Sequence, residues 1–159
     1  MPIYMKYGNI NGDATQQDHQ KWMDISSIHW NVSRNMSTLA GSAANREASE
    51  PSISEVTLTK VSDSSSVRLF QEACTGNTGQ QAVIHMVTTG NPGETYIEYA
   101  LDNALVANYS VDSSGDRPVE HIRLNFTKMQ VKYTPRGEDN NSNQGPQIAA
   151  YDLAPGKMA

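Results

Sequence analysis

A chain of 159 residues with a formal charge of -5 and one cysteine has the length of a single domain and excludes a disulfide framework. Its 12 basic side chains are scattered along the whole length, which excludes a clustered nucleic-acid footprint, and no apolar run approaches the ~18 residues of a membrane helix. The chain is polar without being charged: Ser, Thr, Asn and Gln make up about three residues in ten, against 18% charged.

The N-terminus, Met1 to Gly8, carries neither a charged n-region nor an apolar h-region, which predicts synthesis in the cytoplasm without a signal peptide. Ile3 to Tyr7 reads as a strand. Asn9-Ile10-Asn11-Gly12-Asp13 lacks the spacing and the closing acid of a calcium loop and reads as a turn. In Trp22 to Ser33 the period-2 alternation changes phase across Ser26-Ser27, Met23 and Ile25 giving way to Ile28, Trp30 and Val32. Such a flip calls for a bulge or a corner where a strand passes between sheets.

Residues 34–52 show no period and are rich in small residues, which predicts a long protruding loop. Glu55 to Val61 is a strand with Val56 and Leu58 inward. Ser62-Asp63-Ser64-Ser65 offers N-cap oxygens for a helix at about residues 64–75. Val67, Phe70 and Cys74 form its apolar stripe, with Leu69 and Ala73 flanking and Gly76 as a left-handed terminator. After a strand at Ala82 to Thr88, the alternation from Thr95 to Val111 puts Ile97, Tyr99, Leu101, Asn103, Leu105, Ala107, Tyr109 and Val111 on one dry face. That run is longer than ordinary strands and predicts a bend or break near Asp102-Asn103. Val119 to Thr134 changes phase at Thr127-Lys128. The segment 136–159, with Gly, Pro and Asn throughout, reads as a partly ordered C-terminal piece of one domain spanning 1–159.

No catalytic constellation emerges. His19, His29, His85 and His121 stand alone in separate segments, so no metal-ligand spacing and no cofactor is implied. Cys74 on the apolar stripe suits a buried, inert thiol. Thr75 to Gly79 has no following Lys-Ser/Thr, and no G-x-S-x-G elbow exists. Trp22, Trp30, Tyr96 and Tyr99 admit a sugar-binding platform, as in a monomeric carbohydrate-binding sandwich, but Trp30 and Tyr99 lie on dry phases and read better as core. The residues alone therefore describe a mainly β protein, a β-barrel or two-sheet sandwich with one flanking α-helix, built for assembly or binding and not an enzyme.

The blocks "IYMKYGNINGDAT" (Ile3 to Thr15), "WMDISSIHWNVSR" (Trp22 to Arg34), "SEVTLTKVSDSSSVRLFQEACTG" (Ser54 to Gly76), "YIEYALDNALVANYSVDSSGDRPVEHIRLNFTKMQVKYTP" (Tyr96 to Pro135) and the tail "AAYDLAPGK" resemble the haemolysin-coregulated protein family, Hcp, of bacterial type VI secretion systems. The resemblance runs through almost the full chain, and "D-I-x-S-x-x-W" with "L-N-F-T-K-x-x-V-x-Y" is its most specific signature. It implies a homohexameric ring with a wide channel. Such rings stack head to tail into the inner tube of a contractile machine, with sheath proteins, a spike protein and effector cargo as partners. It further implies export from the cytoplasm to the exterior without a signal peptide, and a plain tube subunit ending at Ala159 with no effector domain. A phage-type tail-tube protein is the near variant. On this resemblance the protruding loop stacks rings through Met36, Leu39, Ala43, Ala44, Arg46 and Glu47. The polar phase near Ser27, His29 and Asn31 is the expected channel lining, and neither nucleic acid nor membrane insertion is expected.

Overall fold

The computed structural model describes residues 1–38, 46–135 and 145–158. One strand organises everything else. β10 (Thr95–Asp112) runs for 18 residues, pairing through its first part with β9 (Gln80–Val87) on one side and β12 (Lys128–Tyr133) on the other, and through its last part with β11 (Val119–Asn125). From that spine one sheet runs through β9 to β1 (Ile3–Tyr7) and β2 (Met23–Ile25). In the other direction it runs through β12 to β13 (Gln147–Asp152) and β14 (Lys157–Met158). The second sheet runs from β10 through β11 to β8 (Val56–Val61) and β3 (Ser27–His29). All pairings are antiparallel.

β2 and β3 are consecutive in the chain, and Ser26 between them donates its N–H to the Thr59 carbonyl at 2.7 Å. The predicted phase flip is this corner. β2 pairs only with β1 and β3 only with β8, so the hydrogen-bond ladder does not close. Of the two arrangements expected, the two-sheet one is therefore found, and a closed barrel is not.

The facing sides bury Met5, Tyr7, Met23, Leu58, Ile84, Leu101, Ile122 and Leu124, each fully inaccessible aliphatic side chain stabilising by about 1.5–3 kcal/mol. Tyr7 donates its hydroxyl to the Ala104 carbonyl at 3.0 Å, and burial, with Glu72 nearby, pushes its pKa up to about 12.

β10 corrects the expected alternation. The strand is not broken at Asp102-Asn103 but turned over there, because Asn103 adopts a left-handed φ of 54° that Asn tolerates better than branched residues. Ala104 and Val106 therefore take the inner face where Leu105 and Ala107 were expected. A bulge at Ala107 restores the phase, so that Tyr109 points in again and Val111 ends exposed. The flip at Thr127-Lys128 separates β11 from β12 as expected.

α1 (Ser66–Thr75) also corrects the reading. Leu69 is fully buried and Ala73 packs on the core, whereas Val67 is 76% and Phe70 58% exposed, and Cys74 is exposed too. Both stripes have helical spacing; the anchoring of the N-terminus chooses between them. Asp63 accepts from the Ser65 N–H at 2.9 Å and from its hydroxyl, and its own N–H is bonded by Ser66 Oγ, fixing which way the first turn faces. Gly76 is extended (φ -67°, ψ 119°), not left-handed. Glycine is needed there for space, since a Cβ would lie 2.6 Å from the Glu72 carbonyl oxygen.

The expected loop at 34–52 contains paired strands. β4 (Val32–Ser33) pairs with β7 (Ser52–Ile53), and β5 (Met36–Thr38) with β6 (Arg46–Ala48), as a ribbon leaving the body. Backbone pairing does not require apolar alternation, which is why these strands left no period to read. β13 likewise pairs with β12 along six residues, from Lys128↔Asp152 to Tyr133↔Gln147.

Candidate functional site

The outer face of the second sheet is a ladder of polar rows. Ser27, Thr59, His121 and Ser110 are consecutive cross-strand partners, and His29, Thr57, Arg123 and Asn108 form the next outward row. Between them the inward row is Ile28, Leu58, Ile122 and Tyr109, which packs into the core. Period-2 geometry thus separates a dry face from a wet one. Ser27 and His29 are exposed on this wet face, and Asn31 is exposed just beyond it, its N–H held by Ser54 Oγ at 2.8 Å. His121 reaches Asp112 at 3.1 Å and Thr59 Oγ1 at 3.4 Å. The Ser27 and His29 rows are polar and carry few charges, whereas the row on the other side of Ser27, made of Asp112, Val119 and Val61, is partly apolar.

Beneath one end of this face lies an ionic group that sequence reasoning missed. Lys60 and Glu120 are both fully buried and paired at 2.7 Å. Lys60 also reaches Asp63 at 2.8 Å, while Glu120 accepts from Tyr109 at 2.5 Å and Ser62 at 3.2 Å. Burial pushes the Glu120 carboxyl up, but bonds from Lys60, Ser66 and Tyr109, with the Lys60 charge, outweigh it and hold the pKa below the ordinary value. Burial and the Glu120 contact drive the Tyr109 hydroxyl in the opposite direction, well above its usual range. The sequence did hold a signal: Lys60 shares a phase with Val56 and Leu58, and Glu120 with Ile122 and Leu124.

Among the described residues two uncovered apolar surfaces stand out. One is the Val67 and Phe70 stripe on α1. The other is a groove of about 230 Å³ between the foot of the ribbon and the C-terminal strands, lined by Trp30, Val32, Pro51, Val131, Tyr151 and Met158 among others. A wider hollow beside it, about 670 Å³, adds Met36, Arg34 and Lys157. Of the expected stacking residues, Met36 is exposed on β5, and Arg46 and Glu47 belong to β6. Leu39, Ala43 and Ala44 lie outside the described residues.

The aromatic platform does not assemble. Trp30 meets Tyr99 edge-on at 5.6 Å against the core, and Trp22 packs on His19 and His85. The structure also joins two histidines that stand 66 residues apart, with His19 Nε2 at 2.8 Å from His85 Nδ1. Among the described residues no group of three or more metal-ligating side chains converges, and no helix is long and apolar enough to cross a membrane.

Known proteins share this architecture. A solved structure of a type six secretion system protein superposes with a TM-score of 0.90 over 99% of both chains at 20% identity. Hcp1 from Salmonella typhimurium does so at 0.80, covering 99% of this chain and 98% of its own, at 22% identity. In sequence the chain is 28% identical to Protein hcp1 of Pseudomonas aeruginosa over 156 residues, 95% of this chain and 94% of that one. Residues 4–133, from β1 through β12, match the family described as "Type VI secretion system effector, Hcp". The chain thus belongs to the Hcp family of type VI secretion system proteins.

Proposed function

We propose that this protein is a non-enzymatic tube subunit: six copies close a ring, rings stack head to tail, and the polar rows around Ser27 and His29 line the channel. The observation that carries this reading is the division of one surface into a hydrated face and two separate apolar contacts of unlike shape. Exposed apolar surface of this kind marks an interaction site, and two unlike patches on one chain make a heterologous contact, which generates rings when its rotation closes. The α1 stripe and the groove at Val32 and Met158 are the contact surfaces in this reading, and the β5–β6 ribbon reaches a neighbouring ring. A wall of Ser, Thr, Asn and His holds water and gives effector cargo little to adhere to. Sheath and spike proteins are the outer partners, and the subunit leaves the cytoplasm with its cargo through the same machine.

The test is native mass by light scattering followed by negative-stain imaging of the same sample. The expected result is a mass of six subunits with open rings. Monomers at high concentration would overturn the reading.

A further inference from the structure

His19 sits in the 3-10 turn Gln17–His19, 2% exposed, stacked on Tyr4 at 4.7 Å and 15° and met edge-on by Trp22 at 4.7 Å. This turn belongs to a flap over the outer face of β1 and β9, internally bonded by Gly12 N–H to the Lys21 carbonyl, Ala14 N–H to that of Trp22 and Lys21 N–H to that of Ala14. Such a segment moves as a unit. Its apolar attachment is the small cluster of Tyr4, Ala14, Val87 and Trp22, and its polar one is a chain of contacts through the two imidazoles.

That chain can be read proton by proton. Gln16 Oε1 accepts from the Asp18 N–H at 3.0 Å, which identifies it as the amide oxygen, and it lies 2.5 Å from His19 Nδ1. His19 Nδ1 must therefore carry a proton, and in a neutral ring Nε2 is then an acceptor. His85 Nδ1, 2.8 Å away, must in turn donate. His85 Nε2 faces Glu98 Oε2 at 2.9 Å, off the line of a well-directed hydrogen bond but close enough for charge to govern the contact. Three gaps call for three protons, and two neutral imidazoles supply two. One added proton fills the chain and is balanced by the Glu98 carboxylate. A second puts N–H against N–H across 2.8 Å between two cations, and Thr95 Oγ1, 3.3 Å from His85 Nδ1, offers that ring a second, longer contact that does not hold His19.

We propose that His19, His85 and Glu98 form an acid-operated clasp that fastens the flap of residues 12–22 to the outer face of the first sheet and releases it on uptake of the second proton. The charged and titratable surroundings support this sense. Burial, then the neighbouring His85, hold His19 below the ordinary histidine value against the pull of Asp18. Burial lowers His85, and Lys132 on β12 adds to it, against Glu98 on β10. Tyr4 on β1, beside Asp24 on β2, stays protonated throughout. The other tie of the flap, Asp13 to the Ser64 hydroxyl and N–H, is held below the ordinary carboxylate value and outlasts the imidazoles on acidification.

The experiment is hydrogen–deuterium exchange of the full chain between the ordinary histidine value, ~6.5, and the carboxylate range, ~4, comparing a His85 variant with wild type at equal pH. His85→Asn keeps an N–H pointed at His19 but cannot titrate. Peptides covering 12–22 should exchange about tenfold faster in wild type than in H85N at the acid end, a gap of ~1.4 kcal/mol in opening, while β9 to β11 stay protected. An identical acid profile in H85N, or opening of the flap only together with β9 to β11, would overturn the proposal. Should H85N fail to fold, the wild-type profile decides alone: exchange of peptides 12–22 that does not rise relative to β9 to β11 toward the acid end overturns the clasp.

Discussion

Lys60 and Glu120 show what one buried pair demands. With both side chains fully inaccessible, removing either charge strands the other, a loss of about 3–5 kcal/mol. Glu120→Gln should therefore lower the urea-unfolding free energy by about that amount, and combining it with Lys60→Met should recover most of the loss, because the amide oxygen left at position 120 still accepts from the Tyr109 hydroxyl. The pH sense follows from the direction of the shift. Glu120 is held below its unfolded value, so its contribution is complete above the ordinary carboxylate range and disappears as pH falls through the lowered folded value. Acid unfolding of E120Q should accordingly be shallower than that of wild type. Gly79 and Asn103 make a second point at this scale. A Cβ on Gly79 would lie 2.7 Å from the Asn103 Cα, so Gly79→Ala should destabilise, whereas Asn103→Gly should be tolerated and Asn103→Val should not, as thermal melts would show. Lys60 and Glu120 stood on inward phases and Asn103 at an expected irregularity, but which residue each would meet was not legible in advance, because both contacts join residues distant in sequence.

At the scale of elements, legibility followed the side chains. β1, β8, β11 and the corner at Ser26 were readable, since inward and outward positions there differ in chemistry. The helix was readable in place but not in rotation, because Val67, Phe70 and Cys74 on one side and Leu69 and Ala73 on the other are both apolar at helical spacing. This yields a sharp contrast. Leu69→Ala should cost about 2–5 kcal/mol in equilibrium unfolding, as expected for a fully buried leucine. Phe70→Ser, at a position 58% exposed, should leave unfolding nearly unchanged while lowering the native mass. The ribbon was legible as a protrusion and not as strands, since Ser, Ala and Thr pair through backbone without marking an inside. Ser27 and His29, expected as channel lining, stand in polar rows of the outer face, but the partners that complete those rows come from β8, β10 and β11, which no single segment announces.

For the whole molecule, the proposed assembly makes its own demand on the groove. Val32→Glu with Met158→Glu places two charges where the apolar contact is expected, on side chains 54% and 63% exposed in the single chain. Monomer stability should change little, within about 0.5 kcal/mol, while the light-scattering mass falls from rings toward single subunits. Removing residues 36–50 should instead leave rings and reduce tubes in negative stain, because the ribbon is assigned to contacts between rings.

The position of β10 has a consequence for how the molecule is made. β1 waits for β9, β8 waits for β11, and both sheets meet only in a strand that begins at Thr95. A chain emerging at ~5–20 residues per second spends several seconds with its N-terminal half exposed before its organising strand leaves the ribosome. The C-terminal half, by contrast, is a run of near neighbours from β9 to β14 that folds as it appears. β1 and β8 therefore wait for partners, β9 and β11, that lie downstream of them in the message.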